Sequence, residues 1–361
     1  MNKVLVSFLL MGFSCSAFAA VQQQNWTDTV KLSGDVRFRH ETIAQEFTDI
    51  RNRQRVRARV GVFAQPANHF LLGLSLASGN SDPISSSQSL DDAFSTKPIG
   101  IDLAYVQWVP SKSFDVVLGK QKNPFFSPSK SELIWDTDLR PETLTVRYIN
   151  STPLAKMKWV TSGFMVEERS DAAETWMLGN QATVQFPLGT PKARLTLGGS
   201  YYHYTNGQGL STFVADDESF GNSVFTNQSY ANSFHLLEGF SQVDVFVFDL
   251  PVAFYLDYVN NQAAEADNQA WLLGFKVGRI TKNSDFDFKY SYRVVQKDAV
   301  VGAFTDSDFL GGGTDGRGHE FGLGYQVAKG VKANLSYFLN SRDLAQNVRY
   351  QRAQVDLSVK F

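Results

Sequence analysis

The chain has 361 residues, 34 basic and 36 acidic, giving a formal net charge of −2. A balance this even offers no electrostatic footprint for a polyanion, so nucleic acid is excluded as a partner. Charged residues make up 19%, below the roughly 25% of ordinary globular chains, while aromatic residues reach 13%.

Residues 1–20 read MNKVLVSFLLMGFSCSAFAA. One lysine precedes an apolar run, and Ala17-Phe18-Ala19 supplies small residues before a cleavage point after Ala19. This predicts a secretory signal peptide over 1–19 and one mature domain over 20–361. The competing lipoprotein reading at Cys15 is disfavoured by Gly12, where leucine is usual. Cleavage leaves a mature chain without cysteine, which excludes disulfides, thiolate chemistry and cysteine-ligated metal. After residue 20 no apolar run reaches the ~18 residues of a transmembrane helix. An exported chain without a helical anchor is periplasmic, secreted, or a β-barrel in an outer membrane.

Period-two alternation then runs along the chain, predicting strands with two unlike faces. In the first, Val30, Leu32, Val36 and Phe38 oppose Lys31, Ser33, Asp35, Arg37 and Arg39. The second reads RNRQRVRAR, with Arg51, Arg53, Arg55, Arg57 and Arg59 at spacing two and Val56, Ala58 and Val60 opposite. In 285–294 four aromatics alternate with Asp285, Asp287, Lys289, Ser291 and Arg293; in 331–340 only Phe338 breaks the polar face. The last strand alternates Ala353, Val355, Leu357, Val359 and Phe361 with Arg352, Gln354, Asp356, Ser358 and Lys360. The predicted strands lie near 29–42, 51–64, 69–78, 100–109, 114–121, 143–149, 156–167, 175–186, 192–204, 239–248, 252–261, 269–279, 285–296, 318–327, 331–341 and 347–361.

Short, turn-like connections such as 65–68, 110–113 and 328–330 alternate with a set that includes the long segments 79–99, 122–142, 205–238 and 297–317. Such alternation describes an up-and-down meander whose ends face different compartments, with short periplasmic turns and long outer loops. A soluble β protein must fill its core with the apolar face, whereas a barrel of sixteen strands is too wide for side chains to fill. A closed barrel also pairs every backbone group exposed to lipid. The fold class predicted is all-β, a sixteen-stranded antiparallel transmembrane barrel in the cell outer membrane. The aromatic Phe361, in phase with the lipid face, reads as the C-terminal signal taken up by barrel assembly machinery.

The strongest charged constellation joins Arg37 and Arg39 to Arg53, Arg55, Arg57 and Arg59 across the first hairpin. Guanidinium stays charged at any accessible pH, so these residues are predicted to form a cationic wall of the lumen. The second constellation is the segment after the fifth strand, GKQKNPFF followed by LIWDTDLRPE, with Glu132, Asp136, Asp138, Arg140 and Glu142. Together with SGDVRFRHE and RNRQRVRARVG, these runs resemble the putative-porin family of Gram-negative outer membranes, relatives of the general and phosphate-selective porins. The resemblance implies a third outer loop, about 122–142, that folds inward and narrows the pore, and it implies a homotrimer in contact with the bilayer and lipopolysaccharide. Repeated lumenal Lys/Arg ladders on many strands are absent, which argues against strict phosphate selectivity. Arginines outnumber the loop carboxylates, so weak anion preference is expected.

No catalytic residues, cofactor or metal are expected. The five histidines, His40, His69, His203, His235 and His319, are scattered and no G-x-S-x-G occurs. Gly311-Gly312-Gly313 lacks the lysine of a phosphate loop, and Asp306, Asp308 and Asp315 fit no EF-hand spacing. Tyr201, Tyr202 and Tyr204 read as an interface girdle. The function expected is passive diffusion of small hydrophilic solutes; the alternatives are a plugged barrel acting through its outer loops in adhesion or as a receptor, and a phosphate- or anion-selective channel.

Overall fold

A computed structural model describes residues 26–214 and 218–361. The predicted signal peptide, 1–19, lies outside the described residues. The wall strands are β1 (Lys31–Gln45), β2 (Arg51–Ala67), β3 (Phe70–Ser78), β5 (Ile99–Ser111), β6 (Phe114–Lys120), β7 (Glu142–Ser151), β8 (Lys156–Glu167), β9 (Thr175–Leu188), β10 (Thr190–Tyr204), β11 (His235–Val247), β12 (Leu250–Asn261), β13 (Gln269–Gly278), β14 (Phe286–Val295), β15 (Gly316–Ala328), β16 (Val331–Arg342) and β17 (Val348–Lys360). These sixteen pair antiparallel with their sequence neighbours, and β17 returns to β1 to close the barrel. The remaining strand, β4 (Gln88–Ser89), is a two-residue ribbon on β2 within a connection. No α-helix occurs among the described residues, only four short 3-10 turns.

Connections at the end where β1 begins and β17 ends are short: 68–69, 112–113, 152–155, 189, 248–249, 279–285 and 329–330. The outer connections are L1 (46–50), L2 (79–98), L3 (121–141), L4 (168–174), L5 (205–234), L6 (262–268), L7 (296–315) and L8 (343–347). The strands start and stop within a few residues of the sequence expectation. The largest shift is β11, which begins at His235 and not near 239, because its first residues pair with Asn260 and Asn261 of β12.

The outward face carries the lipid-facing side chains. Phe38, Val60, Leu74, Leu144, Leu256 and Leu335 are all exposed to the exterior, an arrangement that water would oppose and lipid favours. The barrel closes at its last residue. Phe361 N donates to Gly34 O at 3.1 Å, and Gly34 N to Phe361 O at 3.0 Å. A Cβ at position 34 would sit 2.5 Å from the Phe361 ring, so glycine there makes room for that ring.

The lumen differs from expectation. Barrel width alone predicts an interior open to water, yet one side of it is packed. L3, L5 and L7 fold inward and bury Leu133, Trp135, Phe213, Tyr230 and Phe309 against inward wall residues of β8–β14, with the half-buried Phe304 packed on them. Tyr202 and Tyr204 belong to this lumenal core, both fully buried, whereas Tyr201 faces outward as a girdle residue would. Phe338, the residue that interrupts the polar face of its strand, is likewise buried inside. The apolar filling comes from loops, which strand periodicity does not register. Opposite it, β1, β2 and β17 keep a charged inner face.

Candidate functional site: a charged belt across the lumen

Three adjacent strands present alternating charged residues at one level. Register places Arg37 opposite Arg57, Arg39 opposite Arg55, Glu41 opposite Arg53 and Asp35 opposite Arg59. On the other side of β1, Asp356 lies opposite Arg39. Since side chains alternate along a strand, every one of these groups points into the lumen, and like charges directly opposite require counter-ions.

The counter-ions come from the wall and from two loops. Arg39 makes a bidentate pair with Asp356 at 2.7 and 2.9 Å and reaches Asp308 of L7 at 3.0 Å. Arg352 contacts Glu41 at 2.5 Å and Asp308 at 2.9 Å. Glu41, fully buried, also receives Arg53 at 2.5 Å. Arg57 pairs with Asp35 at 2.7 Å, and Arg59 with Asp138 of L3 at 3.2 Å. Arg140 lies 3.4 Å from Asp102. Two arginines have weaker neutralisation. The nearest carboxylates to Arg37 and Arg55 are 3.8 and 3.9 Å away, and both donate instead to L2, Arg37 to Ser87 Oγ at 2.5 Å and Arg55 to the Ser87 carbonyl at 2.7 Å. Eight arginines (37, 39, 53, 55, 57, 59, 140, 352) therefore meet six carboxylates (35, 41, 102, 138, 308, 356) in two neighbouring sets of ion pairs, five arginines with Glu41, Asp308 and Asp356 and three with Asp35, Asp102 and Asp138, an excess of 8 − 6 = 2 positive charges.

The belt divides the water-accessible lumen. An outer cavity of about 630 Å³ is lined by Arg51, Arg53, Arg55 and Arg352. An inner cavity of about 680 Å³ is lined by Arg57, Arg59, Asp138 and Arg140. Arg37, Arg39 and Asp308 lie between them.

L3 is held from both sides. Its Phe125 ring rests against Gly179 of β9 and Tyr202, and Ser131 Oγ donates to Asp257 of β12 at 2.6 Å. A seam joins it to L7: Asp136 N donates to Phe304 O at 2.8 Å, Ser307 N donates to Asp136 Oδ2 at 2.9 Å, and the Trp135 and Phe304 rings stack with centroids 6.2 Å apart. L7 is in turn anchored by Asp306 to Arg293 at 2.9 Å, beneath Phe309.

The five acidic-loop residues expected from sequence thus divide. Asp138 and Arg140 join the belt. Asp136 faces the L7 backbone and organises the seam. Glu132 accepts from Thr137 N at 2.8 Å and lies beside Asp306 and Lys289 rather than the arginine wall. Glu142 is the first residue of β7, on its outward face, where it pairs with Lys120 at 3.1 Å, away from the arginine belt. Loop electrostatics follow this division. Burial works to raise the Asp138 carboxyl, but Arg59, Arg57 and Arg140 hold it below the ordinary range. Burial and the neighbouring Asp306 push Glu132 up to about 7, and burial with Glu132 and Asp306 raises Asp136.

Four members, Asp102, Asp308, Arg352 and Asp356, are not among the site residues that the sequence singles out. Arg352 and Asp356 share the inward phase of the last strand, a signal that closure of β17 onto β1 would have turned into adjacency. Asp308, weighed only as a calcium ligand, is ion-paired to arginines, and no cluster of three metal-ligating side chains occurs among the described residues. The carbonyl and hydroxyls of L2 leave no charge signature to find.

Against known proteins, a family model described as "Putative porin" matches residues 43–240 and 225–361. The fold resembles the high-pH structure of OprB from Pseudomonas putida (12% identity, 93% of this chain and 95% of that one, TM-score 0.64). It also resembles the outer membrane channel DcaP of Acinetobacter baumannii (13%, 92% and 97%, TM-score 0.54) and the in-vitro folded trimer form of OmpT, an outer membrane protein of Vibrio cholerae (12%, 92% and 99%, TM-score 0.52). No curated protein matches the sequence.

Proposed function

The chain belongs to the putative-porin family and is an outer-membrane porin, and from that premise we propose a diffusion pore with weak anion preference, narrowed at the belt. The observation that carries the preference is the excess of eight arginines over six carboxylates across the passage. Focused positive charge in a low-dielectric channel concentrates anions, and size exclusion at the narrowing selects small hydrophilic solutes. The constriction is built by L3 with L2 and L7, through Asp138, Ser87 and Asp308. Planar-bilayer recording of the purified protein in a potassium chloride gradient tests this: fixed-size conductance steps with a chloride-directed reversal potential support it, and a potassium-directed potential overturns the preference.

The lumenal core of L3, L5 and L7 favours a second reading, a plugged barrel acting through its outer loops. The cavities on both faces of the belt favour the open pore, and absence of conductance steps would decide for the plug. The reading involves no chemical step; His40, His69 and His319 bond to wall partners that include no serine, and the His203 and His235 rings meet at a tilt, centroids 4.4 Å apart. A homotrimer fits the outward face of β1–β3, where Val36, Val56, Ala58, Val60 and Leu74 are aliphatic and Phe38 and Phe70 are the aromatic exceptions, against the aromatic exterior of β12–β15, with Tyr258, Trp271, Tyr290, Tyr292 and Phe321. Lipopolysaccharide at that girdle and barrel assembly machinery at Phe361 complete the proposed partners.

A further inference from the structure

We propose that the periplasmic mouth of the barrel holds a binding site for oxyanion-bearing solutes, separate from the arginine belt. The inference deepens the anion reading of the pore and rests on it. A cavity of about 460 Å³ opens between the turns 279–285 and 329–330 and is lined by Lys276, Arg279, Lys282, Lys329, Lys332 and Lys360. One carboxylate, Asp287, shares the lining, so six cations less one anion leave +5 on a chain whose net charge is −2.

The site is lumenal. Lys276, Asp287, Lys332 and Lys360 occupy the inward phase of β13, β14, β16 and β17, alternating with outward Phe275, Phe286, Phe288 and Val359. Asp287 Oδ2 is divided between Lys276 at 3.2 Å and Lys332 at 3.6 Å, and these are the only ion pairs made by the six cations among the described residues. The turn that carries Lys282 is fixed by the other nearby acid: Asp285 Oδ2 accepts from Thr281 N, Thr281 Oγ1 and Lys282 N, each at 2.8 Å. That carboxylate is committed to the turn and lies outside the cavity lining. Gly278 and Gly330 adopt φ of 85° and 77°, left-handed backbone that turns the chain tightly on either side.

Ammonium groups brought together without matching carboxylates repel one another and are relieved by a multivalent anion. Lysine is a mobile point charge suited to phosphate and carboxylate oxygens, and several around one open cavity match a solute bearing two or more such groups. A solute that has passed the belt meets this site last.

The test uses the native protein in bilayers of zwitterionic lipid at 0.1 M potassium chloride, with orientation assigned by streptavidin access to a biotin-acceptor tag in 343–347. Tripolyphosphate is added to one side at a time. Block from the periplasmic side is expected at lower concentration than from the outer side, and Lys282→Gln with Lys329→Gln should weaken periplasmic block about tenfold, two exposed ion pairs near the upper end of their usual strength. Equal block from both sides, or a double variant blocked at the native concentration, overturns the site. The reversal potential of the same channels separates the two readings: a chloride-directed potential without sided block removes the periplasmic site alone, and a potassium-directed potential removes the belt's anion preference.

Discussion

Replacing Arg55 and Arg57 with glutamine takes the belt from eight arginines against six carboxylates to six against six. The consequence can be worked from Coulomb's law. A unit charge about 10 Å from an ion in water acts with about 0.4 kcal/mol, and screening over a Debye length of about 10 Å at 0.1 M leaves about 0.15 kcal/mol. Two excess charges favour chloride by about 0.3 kcal/mol and disfavour potassium equally, a gap of about 0.6 kcal/mol or about threefold in permeability. The native ratio of chloride to potassium permeability should therefore be about 3 at 0.1 M and about 1 in the double variant, and at 1 M, where the Debye length is about 3 Å, both should approach 1. Reversal potentials in a salt gradient measure the ratio directly. A variant ratio equal to the native one at 0.1 M, or a difference that survives at 1 M, would refute the placement of these arginines on the ion path.

Asp308→Asn leaves five carboxylates in the belt, and the same arithmetic raises the anion ratio to about 5 at 0.1 M, with L7 becoming more open to protease added outside cells because Arg39 and Arg352 lose a shared partner. Trp135→Ala removes the ring that stacks on Phe304 and packs on Tyr202; the lumenal core should lose roughly 3–5 kcal/mol, seen as larger, noisier conductance while the barrel keeps its heat-modifiable migration on gels. Phe361→Asp places a charge in the outward phase at the closing residue and should leave chain accumulating in the periplasm, measured by fractionation; normal outer-membrane amounts would remove its role as a signal. Because Glu132 is raised above its unfolded value, the folded chain binds more protons than the unfolded one between about pH 4.5 and 7, so this group's stabilising contribution is complete at low pH and lost as pH rises through about 7. L3 should be cleaved more readily at pH 8 than at pH 5, and Glu132→Gln should flatten that difference.

Strand periodicity made the wall legible almost to the residue, because lipid and lumen impose opposite demands on alternate positions. Arg53, Arg55, Arg57 and Arg59 could be assigned to one face from spacing alone. What periodicity does not say is which aromatic face is outside when loops also line the lumen with apolar groups. Tyr201 and Tyr202 are both aromatic neighbours, and only the packing of L3 and L5 makes the second one interior. Glu142 falls within the loop on sequence grounds because a strand boundary and a loop boundary differ there by one residue, and that residue's phase sends its carboxylate outward. Asp308 and Asp136 illustrate the harder loss. Their partners are 269 residues away on β1 and 171 residues away on L7, and no local pattern encodes contacts across an enclosed space.

The pairing of Phe361 with Gly34 also bears on when this molecule can exist. Eleven residue pairs, from Asp35 with Lys360 to Gln45 with Tyr350, join the first strand to the last, and among the described residues they form the one seam between wall strands that are not consecutive along the chain. Until the final strand has crossed into the periplasm, β1 has a bare edge of unpaired amides and carbonyls, the kind of template on which extended chains aggregate. Synthesis therefore runs from one unprotected edge to its only rightful partner, and the whole intervening sheet must be kept apart from other copies while it waits. A chain stopped one strand early is a ribbon with two sticky margins and no inside. Quality control of this protein can consequently be read at a single place, where the last residue either reaches the first strand or does not.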